Sequence, residues 1–223
     1  MYKYETHLHT CPVSECASAS VEDQLTFYKS LGYDGVFITN HFLDGNINIG
    51  SGKSYEEKLD FCCSDYEKGL EIGKRIGIKV IFGVELSYKG TDFLVYGLDK
   101  QWYLRHPEIM EMTKRQELKF MMENGALVIQ AHPFREGVTS YLLVPDQTDG
   151  YEVISASRSA EANRHAEDFC RSYGKIRHAG TDIHWLNDPR LAGVEGERRF
   201  ADIHDYIKGL KEGAYTLFDH PQK

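Results

Sequence analysis

Short apolar runs, rich in β-branched and aromatic residues, alternate with amphipathic segments along the 223 residues of the chain. Several runs are almost continuously apolar, among them VFITN, KVIFGVEL, ALVIQA and YEVIS, as is typical of strands covered on both faces. We therefore predict strands at 2–6, 35–39, 78–86, 93–97, 126–131, 151–155 and 176–181.

Polar residues and glycines mark the ends of helices between these runs. Ser20 and Ser54 each precede acidic residues in capping-box spacing, and Pro107 suits the first position of a third helix. Helices are predicted at 20–31, 54–77, 107–124, 159–172 and 202–212, followed by a short apolar segment, AYTLF.

This alternation of strands and helices predicts an α/β fold with a mostly parallel sheet or barrel. In such folds the reactive side chains collect at the C-terminal ends of the strands. The length suits one domain, and no repeat, low-complexity tract or linker divides the chain. We therefore predict a single domain over residues 1–223.

The composition narrows the classes of partner. The formal net charge is −8, the sequence pI is about 5.7 and no dense Lys/Arg run occurs, which argues against binding long nucleic acids. No stretch approaches the roughly 20 apolar residues that span a membrane. The polar N-terminus MYKYETHLHT does not resemble a signal peptide. We expect a cytoplasmic protein without membrane contact, and the sequence leaves its oligomeric state open.

The cysteines predict neither disulfides nor a zinc site. Their odd number argues against a disulfide framework in a cytoplasmic chain. Cys11 and Cys16 could bind metal as a pair, but their spacing matches no zinc pattern. We expect reduced thiols without a metal role at Cys11, Cys16, Cys62, Cys63 and Cys170.

Histidines and carboxylates follow successive predicted strands. His7 and His9 follow the first strand, and because alternate residues of an extended segment point to the same side, the pair can bind one metal. Asp182 and His184 repeat this spacing after the strand at 176–181. The other predicted ligands stand at or after strand ends and are His41, Glu85 and His132. Imidazole and carboxylate ligands together suit zinc, iron or manganese.

Asp92 opens an apolar run instead of ending one. A hairpin that turns at the KG dipeptide of KVIFGVELSYKGTDFLVYG would pair Asp92 with Ser87. Ser87 lies two residues beyond Glu85, on the same side of the strand. That register would bring Asp92 to the reactive end, and we predict it as a further metal ligand.

Each of these residues also has a structural interpretation. A single histidine at a strand end is more often a hydrogen-bonded structural residue than a ligand, and Asp182 alone could be a helix cap. Their placement at successive strand ends favours a metal site. The remaining histidines are given no role, namely His106, His165, His178, His204 and His220.

The same residues occur in motifs that resemble the PHP family, named for polymerase and histidinol phosphatase domains. The motifs stand in family order over most of the chain, with HLHT at 7–10, TNHF at 39–42, GVEL at 83–86, AHPF at 131–134 and GTDIH at 180–184. The resemblance implies a distorted (β/α)7 TIM-like barrel. It also implies a metal-dependent phosphoesterase with two or three divalent ions, which would be zinc, manganese or iron.

The resemblance further implies how the metals are held. The first metal would be bound by His7, His9, Glu85 and Asp182. The second would be bound by His41 and His184, with a loop ligand for which the candidate is Glu15. The third would be bound by Asp92 and His132, with Glu85 as a bridge.

Three positions depart from many relatives. Asn40 stands before His41 where they carry aspartate, and it could orient that histidine without a charge. Asp92 stands where many carry histidine, and Glu15 stands near a position where many carry histidine or aspartate.

No GxSxG elbow, P-loop or GxGxxG motif competes with the metal site. The predicted reaction is hydrolysis of a small anionic phosphate ester, preferably a phosphomonoester, by water whose pKa a bound metal lowers to roughly 7. Asp182, His184 and Arg135 are the predicted catalytic residues, and Arg135 and Arg158 would bind the phosphate. His184 could protonate the leaving oxygen, although that role competes with metal binding. Glu152 could support the site or fix an arginine.

Two other functions stay open. A metal-dependent hydrolase of an amide or ring C–N bond would share the His-x-His opening and the late aspartate. A non-catalytic metal-binding module could lose ligands freely, whereas here seven of the eight principal ligands keep the residue types of the family.

Overall fold

The computed structural model describes residues 1–47, 49–138, 141–187 and 190–221, which form nine strands, six α-helices and one 3-10 helix. The strands are β1 Tyr2–Leu8, β2 Gly35–Ile38, β3 Lys79–Tyr88, β4 Thr91–Tyr96, β5 Leu127–Gln130, β6 Gly150–Ser155, β7 Ile176–Gly180, β8 Arg190–Gly196 and β9 Tyr215–Pro221. The α-helices are α1 Val21–Ser30, α2 Tyr55–Ile76, α3 Lys100–Arg105, α4 Lys114–Glu123, α5 Ala160–Ser172 and α6 Ile203–Lys211, and the 3-10 helix is Pro107–Glu111.

Side-chain caps set where the helices begin. α2 begins after Ser54, whose hydroxyl accepts a hydrogen bond from the Glu57 N–H while the Glu57 carboxylate accepts one from the Ser54 N–H. The helix is followed by Gly77, whose φ of 74° lies in the region that favours glycine. The predicted helix over 54–77 is therefore confirmed.

The prediction of one continuous helix over 107–124 is wrong. Pro107–Glu111 forms a 3-10 helix, Met112 and Thr113 are extended, and α4 begins only after Thr113. Thr113 and Gln116 form a capping box, which satisfies the first N–H groups of α4 and so starts a separate helix. The six-residue helix α3, capped by Asp99, was also not predicted.

The nine strands described form one sheet in the order β7-β6-β5-β4-β3-β2-β1-β8-β9. The seven predicted strands are β1 to β7, and they lie side by side in chain order. β4 pairs antiparallel with both β3 and β5, whereas the other neighbours among β1 to β7 are parallel. The expected mostly parallel sheet is therefore mixed, because β4 returns directly from β3 through a tight turn instead of a crossover helix.

β8 and β9 extend the sheet antiparallel from β1 and raise the strand number above the predicted seven. β8 reads RLAGVEG, and its glycines and alanine weaken the strand pattern, which normally favours branched side chains. Gly193 is required by packing, because a Cβ there would lie 2.2 Å from the Tyr4 carbonyl oxygen.

The sheet curls until β1 and β7 meet, so that the barrel is nearly closed. The Asp182 N–H donates to the His7 carbonyl at 2.9 Å, and the His9 N–H donates to the Ile183 carbonyl at 2.9 Å. Gly180 permits this approach, because a Cβ there would lie 2.5 Å from the His7 Cβ. The predicted TIM-like barrel is thus confirmed, with a different number of strands.

The barrel interior changes from apolar to acidic along its strands. Ile81 of β3 and Leu94 and Tyr96 of β4 belong to one buried apolar cluster. Because side chains alternate along a strand, Glu85 shares a face with Ile81, and Asp92 shares one with Leu94. The face that packs the core therefore continues into buried carboxylates.

None of the helices in the described part of the chain is long and apolar enough to cross a membrane. The longest, α2, has 22 residues. That residues 1–223 form a single domain, and that the protein is cytoplasmic, stay predictions.

His178, in β7, should make stability depend on pH. It is fully buried, with Nε2 3.1 Å from the Tyr206 hydroxyl, and burial lowers its pKa from 6.5 to about 4. The folded protein therefore keeps His178 neutral at pH values where the unfolded chain binds a proton. Lowering the pH from 6.5 to about 4 should remove up to roughly 3 kcal/mol from the free energy of unfolding. Urea denaturation across this pH range should show a smaller loss for His178→Gln, and equal losses would contradict the prediction.

Candidate metal centre

The eight principal predicted ligands converge at one end of the barrel. Six lie at or beyond the C-terminal ends of strands, and these are His7, His9, His41, His132, Asp182 and His184. Glu85 and Asp92 come from the β3–β4 hairpin, in which Ser87 pairs with Asp92 as the sequence predicts. This register places both carboxylates on the same side of the hairpin.

Glu85 lies at the centre of this group. Its Oε1 is 3.2 Å from His7 Nε2, and its Oε2 is 3.0 Å from His41 Nδ1 and 3.3 Å from His9 Nε2. His132 Nε2 lies 3.6 Å from Oε1. Burial opposes ionisation, but the imidazoles of His7 and His41 hold the pKa of Glu85 well below its ordinary value. The carboxylate is therefore ionised at neutral pH and available to a cation.

Asp182 is the second buried carboxylate of the group. Its Oδ1 lies 3.5 Å from His7 Nε2 and 3.6 Å from His9 Nε2. Its Oδ2 accepts a hydrogen bond from the Ser157 hydroxyl at 3.0 Å. Burial raises the pKa of Asp182, but the nearby imidazoles, His7 foremost, lower it more strongly. This carboxylate is also ionised and faces the histidine pair at the end of β1.

Two predicted ligands have backbone conformations that residues other than glycine rarely adopt. The φ of His132 is 25° and that of Asp182 is 59°. Such conformations cost of order 1–3 kcal/mol each and persist where the surrounding structure imposes them. The positions of these two side chains are therefore set by the site and not by local backbone preference.

Hydrogen bonds to the outer ring nitrogens orient three of the histidines. The Nδ1 atoms lie 2.9 Å from Glu152 Oε1 in His7, 3.0 Å from Ser14 Oγ in His9, and 3.0 Å from the Asp182 carbonyl oxygen in His184. Because these oxygens accept the hydrogen carried by Nδ1, the Nε2 atoms are available as metal ligands.

The Nε2 atoms of His7 and His9 face other hydrogen-bond acceptors. His7 Nε2 and His9 Nε2 lie 3.1 Å apart, and both face the carboxylate oxygens of Glu85 and Asp182. Acceptors this close repel one another unless a proton or a cation lies between them. Without a cation, burial opposes protonation of His7, but Glu152 and the other carboxylates raise its pKa well above the ordinary value. These residues therefore fit a divalent metal that replaces the proton.

A chain of hydrogen bonds connects His9 to the buried Asp65. The Ser14 hydroxyl donates to Asn40 Oδ1 at 2.9 Å, Asn40 Nδ2 donates to Thr10 Oγ1 at 2.8 Å, and Thr10 Oγ1 donates to Asp65 Oδ2 at 2.7 Å. Because Ser14 gives its one hydrogen to Asn40, it accepts the hydrogen of His9 Nδ1. Asn40 thus orients His9 through Ser14. Ser14 Oγ also accepts the His41 N–H at 3.1 Å, which links Asn40 to the histidine that the sequence suggested it orients.

Three groups of ligand atoms in the described residues lie within 4.8 Å of one another. They are His7, His9 and Asp182; His7, Glu85 and His132; and His9, His41 and His184. These groups overlap the three sets that the resemblance implies, with His9 joining His41 and His184. Their imidazole and carboxylate donors suit zinc, iron or manganese.

Two predicted ligands stand outside these three groups. Asp92 Oδ2 lies 3.9 Å from His132 Nε2 and accepts a hydrogen bond from Arg135 Nη1 at 3.3 Å. Burial raises the pKa of Asp92. Glu15 is exposed, and its N–H donates to the Asn46 carbonyl at 3.0 Å. The structure thus brings Asp92 beside the ligand groups, and metal binding by Glu15 stays a prediction.

The ligand cluster opens into a cavity of about 350 Å³. Both predicted arginines, Arg135 and Arg158, line this cavity. Four other residues also line it, namely Cys16, Asn46, Ser157 and Trp185. The sequence analysis gave Cys16 no metal role and did not consider the other three. Ser157 precedes Arg158 at the end of β6, so the rule that reactive residues follow strands could have found it.

The fold resembles those of solved PHP-like proteins. A two-domain protein from Bacteroides vulgatus that contains a predicted PHP-like metal-dependent phosphoesterase superposes with a TM-score of 0.71 at 13% identity, over 97% of this chain. This chain spans 64% of that protein's length. A predicted metal-dependent phosphoesterase from Bifidobacterium adolescentis gives a TM-score of 0.59 at 13% identity, over 92% of this chain and 94% of that one.

One solved structure with a similar fold is an amidohydrolase and not a phosphoesterase. An amidohydrolase from Chromobacterium violaceum, with bound sulfate and no metal, gives a TM-score of 0.54 at 11% identity, over 82% of this chain and 88% of that one. No protein-family model and no curated protein matches the sequence. Identities this low establish the fold alone. The PHP resemblance is therefore confirmed at the level of the fold, and the ligand cluster supports a metal-binding site.

Replacing Glu152 by glutamine should weaken metal binding. Glu152 is fully buried and accepts hydrogen bonds from His7 Nδ1 at 2.9 Å and from the His132 N–H at 3.0 Å. A glutamine oxygen can accept only one of these bonds, and its NH2 group would face the other donor, while the negative charge that makes His7 a better donor to metal is lost. Competition with a chromogenic chelator should show roughly 10–100-fold weaker affinity. Native affinity in this variant, matching that of the exposed control Glu123→Gln, would contradict the prediction.

Proposed function

We propose that this protein is a metal-dependent phosphoesterase that hydrolyses a small phosphomonoester. The observation that carries the proposal is that two guanidinium groups, those of Arg135 and Arg158, line the cavity that contains the ligand cluster. Guanidinium groups bind phosphate oxygens in a bidentate geometry that suits recognition of a phosphate ester. The fold shared with predicted metal-dependent phosphoesterases agrees with this reaction.

The two arginines would have different roles. The Arg158 side chain is 20% exposed, its Nε donates to Ser157 Oγ at 3.0 Å, and its Nη2 lies 3.4 Å from Asp182 Oδ2. The Arg135 side chain is 40% exposed and contacts Asp92 Oδ2 at 3.3 Å. Arg158 would therefore orient the phosphate from a fixed position, and Arg135 would close on it from the rim.

Two or three divalent cations, proposed as zinc, manganese or iron, would supply Lewis-acid charge and generate hydroxide from water near neutral pH. Asp182 would couple metal binding to substrate binding, because its Oδ1 faces the His7–His9 pair while its Oδ2 faces Arg158. His184 donates its Nδ1 hydrogen to the Asp182 carbonyl oxygen, so its Nε2 would be the atom that binds the metal. A role for His184 as the acid that protonates the leaving oxygen competes with that binding.

The size and charge of the site favour a small anionic substrate over a polymer. A cavity of about 350 Å³ accommodates a small phosphate ester. The chain carries a formal net charge of −8, which disfavours long nucleic acids. The proposed partner is therefore a small phosphorylated molecule.

Hydrolysis of an amide or ring C–N bond is the second candidate function. The fold likeness to an amidohydrolase supports it, and such a reaction would use the same ligand cluster. The two arginines at the cavity favour a phosphate ester instead, because a neutral amide offers no anionic group for them to bind.

Metal-loaded protein should hydrolyse phosphomonoesters in a panel that also contains phosphodiesters and amides. His132→Ala and Asp182→Ala should lose both bound metal and turnover, because each removes a ligand from the cluster. His165→Ala, on the exposed face of α5, is the control. Retained turnover and metal content in both ligand variants would refute the site, and activity on amides alone would support the second function. Protein inert toward the whole panel would indicate a non-catalytic metal-binding module.

Arg158→Lys should reduce phosphoesterase activity and leave the metal content unchanged. Lysine keeps the positive charge but lacks the planar guanidinium group with its paired N–H donors, so bidentate phosphate binding is lost. A charge-assisted hydrogen bond contributes about 1.5–3 kcal/mol, which predicts roughly a 10–100-fold lower kcat/KM. Arg164→Lys, on exposed α5, is the matched control. Unchanged kcat/KM in Arg158→Lys would exclude phosphate recognition by Arg158.

A further inference from the structure

One of the three ligand groups has no anionic member. His9, His41 and His184 contribute only imidazole nitrogens, whereas each of the other groups includes Asp182 or Glu85. Glu85 contacts His9 and His41 but is not part of their group with His184. A divalent cation at this position would be stabilised by an additional ligand of negative charge.

Buried polar atoms beside this group lack hydrogen-bond partners in the described structure. Nδ1 of His41 is one of them, although it lies 3.0 Å from Glu85 Oε2. Oε1 of Glu85 is another, in a side chain only 2% exposed. Because buried polar atoms are normally hydrogen-bonded, the His41 atom indicates that a ligand completes this group. Glu85 Oε1 faces His7 and His132 and so indicates a ligand in the neighbouring group.

The loop after β1 brings a thiol to the same place. The Ser18 N–H donates to the His184 carbonyl at 2.8 Å, which fixes the loop against His184. Cys16, two residues earlier, lines the cavity together with His41 and His184, and its thiol interacts with both imidazoles. Cys16 Sγ is not among the ligand atoms of this group that lie within 4.8 Å of one another, so metal binding would have to draw the exposed thiol closer to the imidazoles.

The neighbouring Glu15 is placed differently. Its N–H is bonded to the Asn46 carbonyl at 3.0 Å, its side chain is exposed, and it is not among the residues that line the cavity. Of the two adjacent candidates, Cys16 is the one that lies beside the imidazoles.

We propose that Cys16, and not Glu15, is the loop ligand of the cation bound by His41 and His184, in place of the sequence prediction that this cysteine has no metal role. The inference rests on the metal-dependent function proposed above. On binding, the thiol releases its proton to solvent, and the sulfur forms a bond to the metal as thiolate. Thiolate sulfur and imidazole nitrogen are both zinc ligands, and zinc binds mixed sets of them tetrahedrally.

A thiolate also changes which metal this position selects. Soft sulfur ligands favour zinc over manganese, which prefers carboxylate, carbonyl and water oxygen. With Cys16 added, the His9–His41–His184 group would therefore bind zinc selectively, whereas the two carboxylate-containing groups would accept zinc, manganese or iron.

X-ray absorption at the zinc edge tests this ligand directly. Zinc-loaded native protein should show a sulfur scatterer at about 2.3 Å among the nitrogen and oxygen ligands. The cobalt-loaded protein should show a sulfur-to-cobalt charge-transfer band. Both signals should disappear in Cys16→Ser and persist in Cys11→Ser, the matched control from the same loop. Glu15→Gln should leave both signals and the metal content unchanged.

Several outcomes would overturn the proposal. A zinc-loaded native protein without a sulfur scatterer would be enough to overturn it, and this result does not depend on whether a variant folds. A sulfur signal that survives Cys16→Ser, or metal lost from Glu15→Gln alone, would also overturn it. Phosphoesterase activity without a sulfur signal would refute the Cys16 ligand and leave the proposed function intact. A sulfur signal in protein that is inert toward phosphate esters would support the Cys16 ligand and refute the proposed phosphoesterase function.

Discussion

The rest of the structure depends on one electrostatic constraint, which is that buried acceptors face one another at the end of a nearly closed barrel. The Nε2 atoms of His7 and His9 point at each other and at two ionised carboxylates. Without a cation, protons must separate them. For example, burial opposes protonation of His41, but Glu85 raises its pKa to about 10. A divalent metal would displace such protons, so metal affinity and pH are coupled at this site.

The fold maintains this arrangement by bringing the ends of β1 and β7 together. Gly180 allows the two strands to approach, and the backbone bond from Asp182 to His7 fixes their register. The buried carboxylate of Glu5 reinforces the junction, because its Oε1 accepts hydrogen bonds from the N–H groups of His7 and Thr181, both at 2.9 Å. The same contacts that close the barrel therefore position the predicted ligands that follow β1 and β7.

The convergence of the strand-end histidines and carboxylates was predictable from the sequence, because each position depends on a local pattern. His132 follows a continuous apolar run, and the position of Asp92 needed only the register of a hairpin with a tight turn. Contacts between distant segments were not predictable in this way. The choice of His7 as the partner of Glu152, and the position of Cys16, depend on barrel closure and on a loop fixed by a long-range backbone bond. The strand β8 was missed because packing requires Gly193 where strand patterns favour branched residues.

A zinc-edge anomalous difference map of zinc-loaded crystals tests most directly whether cations separate these acceptors. The account predicts peaks about 2.0–2.2 Å from the Nε2 atoms of His7 and His9 and from Asp182. A map without a peak at this position, in crystals whose histidines remain hydrogen-bonded directly to Glu85 and Asp182, would contradict it.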